Sequence, residues 1–243
     1  METAVADVRA AAERGIDQMK LGRRDKAAVQ FEAALNAVEA IDAERVRRDE
    51  ISVLATLFAN YGFNDLALMA AEDAVDLDRS LGLESELTGD LLALGNAHTN
   101  LENNSKAEAV FREALSISVR LKRWADAASA TTNLAGMAAN SGQLKQAGEM
   151  LQTSLDYLKR DHFDETEINT RITLLQVLEL SEGDLDAALD NATTLCRLFW
   201  KDIPPHVRSV VGDFVGRLIA RYASSHAEAQ HPAWKAEHFP MLA

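Results

Sequence analysis

Asn60, Asn100 and Asn140 stand 40 residues apart along the sequence. A side-chain amide both donates and accepts hydrogen bonds, so a row of amides can satisfy the backbone of an extended polypeptide without reading its side chains. A local reading stands beside this one: each asparagine falls one or two residues before a turn, where asparagine is favoured for its own backbone chemistry. The other reactive residue types are scattered. Of His98, His162, His206, His226, His231 and His238, the last three fall in a tail at spacings of five and seven, and read as surface residues rather than a metal site. His98 reads as a core or wall residue, Cys196 as a small buried apolar one, and Glu165 and Glu167 as solvated loop charges. The sequence contains no glycine-rich phosphate loop, no His-Glu-x-x-His and no cysteine pair. The expectation is therefore a protein that is not an enzyme and holds no cofactor and no metal.

The elements that must position the asparagines come from an internal repeat. Ala27, Ala67, Ala107 and Ala147 recur every 40 residues. Each follows a turn beginning at Gly22, Gly62, Glu102 or Gly142, and a small residue (Ala34, Ala74, Ala114, Ser154) follows each by seven, then an apolar one. These offsets place the residues on one face of a helix. A weaker fifth copy starts at Gly183 and carries Ala188. A second apolar helix precedes each turn, for example over 51–61 and 91–97. Each helix pair has apolar surface that it buries only by stacking on its neighbours, which makes a solenoid.

The pattern resembles the tetratricopeptide repeat (TPR) family. The family's small residue at position 8, glycine near 15, alanine at 20, large apolar residue at 24 and alanine at 27 are matched by Gly15, Gly22, Ala27, Phe31 and Ala34, and again by Gly95, Ala107, Phe111 and Ala114. The resemblance spans about residues 8–202. The sequence departs from the family in its period of 40 rather than about 34, in Glu102 at a turn glycine, and at position 11, which holds Gln18, Phe58, His98 and Ala138. The repeat length is similar to that of kinesin light chain and of bacterial peptide-pheromone receptors.

The resemblance implies an all-α fold: a right-handed α-solenoid of five TPR helix pairs plus a C-terminal capping helix. The repeats fall near 8–46, 47–86, 87–126, 127–167 and 168–202, with the capping helix over 205–223, so the solenoid covers 1–223 and a tail covers 224–243. The capping helix is predicted to start near Pro205, where proline is tolerated, with an apolar stripe of Val207, Val210, Val211, Phe214, Val215, Leu218 and Ile219. In this family the first helix of each repeat lines a concave groove, which implies a partner-binding set of Thr56, Asn60, Asn96, Thr99, Asn100, Thr132, Asn133 and Asn140. Asn96 and Asn133 match the two asparagines of carboxylate-clamp TPR domains. The clamp's cation positions hold Leu92, Thr170 and Leu174, so a grip on a terminal carboxylate is not expected.

The formal net charge is −13, which disfavours nucleic acid and anionic membranes. Residues 51–100 hold one basic residue, Arg79, against eight acidic ones, and residues 151–200 hold four against ten. This reads either as a solvated helix surface or as an attraction for a basic partner. The single Cys196 allows no internal disulfide, and neither a signal-peptide core nor a membrane span is evident, which reads as a cytoplasmic protein. The tail carries Trp234, Phe239, Met241 and Leu242, and reads as a free end or as a segment that docks on its own groove or on a second copy. The expected function is a scaffold or adaptor binding a protein or peptide in its groove. The alternatives are a peptide-responsive regulator and a self-assembling protein that forms a homo-oligomer through its tail.

Overall fold

The computed structural model describes residues 2–161, 163–181, 185–230 and 232–242. His162, His231 and Gly183 of the fifth copy lie outside the described residues, as does the side chain of Leu242. The described residues are all-helical. Helices α1 (Glu2–Lys20), α2 (Arg24–Ala37), α3 (Glu44–Asn60), α4 (Asn64–Leu81), α5 (Glu84–Asn100) and α6 (Asn104–Leu121) belong to a first compact unit, Met1–Lys122. Helices α7 (Trp124–Asn140), α8 (Leu144–Leu158), α9 (Asp164–Leu180), α10 (Leu185–Phe199), α11 (Pro205–Ser225) and α12 (Pro232–His238) belong to a second, Arg123–Ala243. Among the described residues no helix is long and apolar enough to cross a membrane.

Within each unit, consecutive helices pair as antiparallel hairpins, and each odd helix also touches the next odd one. The repeated alanines explain the pairing. Ala27, Ala67, Ala107 and Ala147 are all buried, as are Ala34, Ala74, Ala114 and Ser154. Size is matched across each hairpin. A Cβ on Gly15 would lie 2.3 Å from the ring of Phe31, and one on Gly95 would lie 2.4 Å from Phe111. Where the second helix offers only Ala71 or Leu151, the first carries Ala55 or Ala135. Phe58 adds its own ring to the first of these repeats, 5.3 Å from Phe31.

The turns between paired helices are left-handed. Gly22, Gly62 and Gly142 have φ of 68°, 72° and 79°, and Glu102 takes the same role at 59°. Lys122, closing α6, also sits at 59°. A side chain in this region is strained by roughly 1 kcal/mol relative to glycine.

In the second unit Pro205 opens α11 as expected. Val211, Val215, Leu218 and Ile219 are buried against α9 and α10. Val210, expected in that stripe, is instead 51% exposed, one residue out of phase with the buried set. The tail is folded. A 3-10 turn, α12 and a last 3-10 turn carry Phe239 fully into the same core, with Trp234 and Met241 packed against it. Tyr222 of α11 stacks on Trp234 at 5.7 Å. The tail thus docks on the end of its own unit, and its buried Phe239 is used there.

Two stability changes follow. Gly95→Ala should cost about 1–3 kcal/mol, because Phe111 must leave its rotamer. Glu102→Gly should add about 1 kcal/mol. Urea denaturation of both variants checks the signs, and a neutral Gly95→Ala would contradict the close-approach reading.

Candidate functional site

Each odd helix presents one exposed ridge at spacing i, i+4, i+7, i+11. On α3 it is Asp49, Val53, Thr56 and Asn60, all exposed; on α5 it is Gly89, Ala93, Asn96 and Asn100, exposed except for the half-buried Ala93. These two lie in the first unit. In the second unit α7 presents Ser129, Asn133, Gly136 and Asn140, of which Asn140 is exposed and the rest half-buried. Val53, 63% exposed, gives the first unit's ridge an apolar centre that sequence reasoning missed; its offset of four from Asp49 was the available signal.

Asn60, Asn100 and Asn140 are the last residues of α3, α5 and α7. The turns that follow close through backbone alone. Gly62 N donates to Ala59 O at 3.0 Å and Phe63 N to Phe58 O at 2.8 Å; the same pair of bonds closes the other two turns, through Glu102 and Asn103 and through Gly142 and Gln143. Among the described residues none of the three amides makes a side-chain hydrogen bond, so the turn chemistry does not consume them. Asn96 and Asn133 differ, being already engaged within the chain.

The threonines divide. Thr56 and Thr99 are exposed and donate to their own helices, to Ser52 O at 3.3 Å and Gly95 O at 2.9 Å. Thr132, expected on the groove wall, is buried instead. Its hydroxyl lies 2.9 Å from Ser154 Oγ and 2.8 Å from Thr170 Oγ1. Ser154 occupies a buried alanine position and needs partners there, and Thr132 and Thr170 supply them. Thr132 therefore joins α7, α8 and α9 from inside. At the clamp's cation positions Leu92 is half-buried, and Thr170 and Leu174 are buried.

In the first unit the ridges are held in place by charge. Arg9 of α1 reaches Glu50 of α3. Arg48 of α3 pairs with Asp78 of α4 at 2.6 Å and with Asp90 of α5 at 2.5 Å, while Ser52 donates to Asp90 at 2.6 Å. Arg48, Asp78 and Asp90 are all buried. One guanidinium faces two carboxylates, so burial, together with Asp78, pushes the Asp90 carboxyl up to about 6 against the pull of Ser52 and Arg48. In the second unit neutral hydroxyls join α7 to α9, Ser129 to Thr166 at 3.0 Å and Thr132 to Thr170, while Arg217 of α11 pairs with Glu179 of α9.

The other reactive residues are structural. His98 is buried, its imidazole held below the ordinary value by burial and by Lys106. Burial pushes the Cys196 thiol up to about 11. Glu165 is exposed as expected, but Glu167 is buried in the first turn of α9 and receives Arg171 Nε at 2.8 Å, so it is not a loop charge. Among the described residues no group of three His, Cys, Asp or Glu side chains could hold a metal ion.

No protein-family model matches the sequence, and no curated protein matches it. Solved structures do. The chain is similar to a Rap protein complexed with competence and sporulation factor (15% identity, TM-score 0.61, 97% of this chain and 72% of that one). It is similar to aspartyl phosphate phosphatase F from Bacillus subtilis (10%, TM-score 0.71, 92% of this chain), spanning 61% of that protein's length. It is also similar to a putative kinesin light chain with nearly identical TPR-like repeats from Podospora anserina (14%, TM-score 0.61, 83% and 98%). The fold is that of the tetratricopeptide repeat, in its long, 40-residue form. At these identities the likeness carries the fold and not the phosphatase activity in one neighbour's name.

The raised Asp90 has a signed consequence. A folded-state value of about 6 against an ordinary value of about 3.9 means the folded chain holds this proton more tightly. The stability it contributes is complete below about pH 4 and is lost as pH rises through 6. From pH 4 to pH 7 the stability of wild type relative to Asp90→Asn should fall by on the order of 2 kcal/mol, as read by urea denaturation at each pH. A constant difference would contradict the buried cluster's charge balance.

Proposed function

We propose that the chain is a protein-interaction scaffold, working in the cytoplasm, in which odd helices within each unit present exposed amides to an extended polypeptide partner. The observation that carries this reading is the set of unused amides at Asn60, Asn100 and Asn140, repeated at one period on the helix ends. An exposed amide without a partner in its own chain can both donate to and accept from a peptide backbone, and a repeat array offers such groups at regular intervals. Val53 adds an apolar contact, and Thr56 and Thr99 keep free acceptor lone pairs.

Two glycines support the same reading. Gly89 and Gly136 lie inside α5 and α7, and a Cβ on either would meet nothing within 4 Å. Glycine inside a helix costs about 1 kcal/mol relative to alanine, and here no packing requires it. A partner's close approach over the ridge would.

A ligand-responsive regulator is the second reading, favoured by the likeness to a Rap protein complexed with competence and sporulation factor. Self-assembly through the tail is not favoured, because Phe239 is fully buried in its own unit.

The test is quantitative affinity capture from native lysate. Asn60→Ala/Asn100→Ala/Asn140→Ala should lose the partners that wild type retains, with an unchanged melting temperature; an unaltered captured set would sink the reading. Gly136→Ala should raise stability by about 0.5–1 kcal/mol, while Gly136→Leu should weaken capture without unfolding the protein.

A further inference from the structure

The excess acidity of residues 51–100 can be sorted residue by residue. Of the eight carboxylates, Asp78 and Asp90 share Arg48, Glu84 pairs with Arg120 at 2.9 Å, and Glu86 with Arg45 at 2.7 Å. These four hold helices together. Asp65, Glu72 and Asp73, on α4, make no ion pair among the described residues, and Asp76 is 3.9 Å from Arg79, which gives its closer bond, 2.9 Å, to Glu113. Glu39, in the 3-10 turn after α2, likewise makes no ion pair among the described residues.

Three of these carboxylates, Glu39, Asp73 and Asp76, gather at one place. A cleft of about 440 Å³ opens between α2 and α4 over α3, within the first unit and away from the asparagine ridge. Its size falls within the ~300–1,000 Å³ of ligand clefts. The floor is apolar, with Val38, Ile51 and Leu77, and the rim carries Glu39, Asp73 and Asp76, with Arg47 the one cation among its lining residues. Like charges from two separate elements crowd each other here: burial, Asp76, Glu39 and Glu72 together hold the Asp73 carboxyl above its usual range, and only Arg47 opposes them. The fold gains nothing from this repulsion.

We propose that this cleft docks a basic amphipathic segment of a partner polypeptide, with lysine or arginine heads on the acidic rim and their alkyl stems and apolar neighbours on the floor. Charge complementarity selects this occupant. A bare divalent ion fits less well, because the rim is split across an apolar floor and no three-ligand group forms among the described residues.

The experiment uses the full chain and a fluorescent 12-residue helical peptide of leucine and lysine, with its leucine–glutamate counterpart as control. The lysine peptide should bind at low salt and the glutamate peptide should not. Glu39→Gln/Asp73→Asn/Asp76→Asn should weaken binding about tenfold while the melting temperature holds or rises, since neutralisation removes repulsion; a purely structural role would lower it. Methyl shifts on Val38, Ile51 and Leu77 should report contact. Wild-type affinity in the triple variant, or shifts confined to Val53 and Ala93 of the ridge, would overturn the proposal. Asn60→Ala/Asn100→Ala should leave this peptide's affinity unchanged, which separates the outcome from that of the ridge.

Discussion

Two helices approach closely only where one gives up its side chain. That constraint organises the molecule. Gly15 faces Phe31, Gly95 faces Phe111, and the alanine positions of the second helices close the remaining contacts. Close approach fixes the rotation of each odd helix, and so decides which of its residues are left outward. The ridge of amides and small residues is what remains once the apolar and small faces have been used in packing. Its free hydrogen-bonding capacity is a consequence of the turn as well. Because the left-handed residue closes each helix end through backbone bonds, the turn does not consume the amide of the asparagine two residues before it.

The two units solve the same joining problem with different chemistry. In the first, the odd helices are tied by arginine and carboxylate groups, one of them buried with an excess of negative charge. In the second, hydroxyls of Ser129, Thr132, Ser154, Thr166 and Thr170 join α7, α8 and α9, while Arg217 of α11 pairs with Glu179 of α9 at the surface. A buried ion pair depends on having both partners present and on their protonation, whereas the hydroxyl joint carries no charge. The buried Arg48 cluster is therefore the joint whose packing answers to pH. The first unit's α4 face also retains carboxylates, among them Asp73, that make no ion pair among the described residues.

Much of this was legible in the sequence, because a strict period of 40 residues states the helix pairs, their turns and their packed faces at once. Even the exception was readable: Glu102 stands at a glycine position and adopts the glycine conformation. What escaped was set by contacts between repeats, which a period does not encode. Thr132 carries a groove position by number, but the serine at 154, where other copies have alanine, draws it inward. Arg48, Asp78 and Asp90 read individually as surface charges, and only their convergence from three helices buries them. Val210 shows the limit of a helical stripe, since an apolar residue one position out of phase faces solvent. The tail's aromatic residues left a free end and a docked segment both open, and only the core around Phe239 decides between them.

The central claim is that a partner polypeptide lies across the ridges of α3 and α5. Site-specific photocrosslinking in native lysate addresses it most directly, with a benzophenone amino acid placed in turn at Thr56, at Thr99 and at the exposed Val29 of α2. The account predicts discrete adducts from Thr56 and Thr99 to the same partner, and none of that partner from Val29. Adducts that are equal at all three positions, or absent from Thr56 and Thr99, would contradict it.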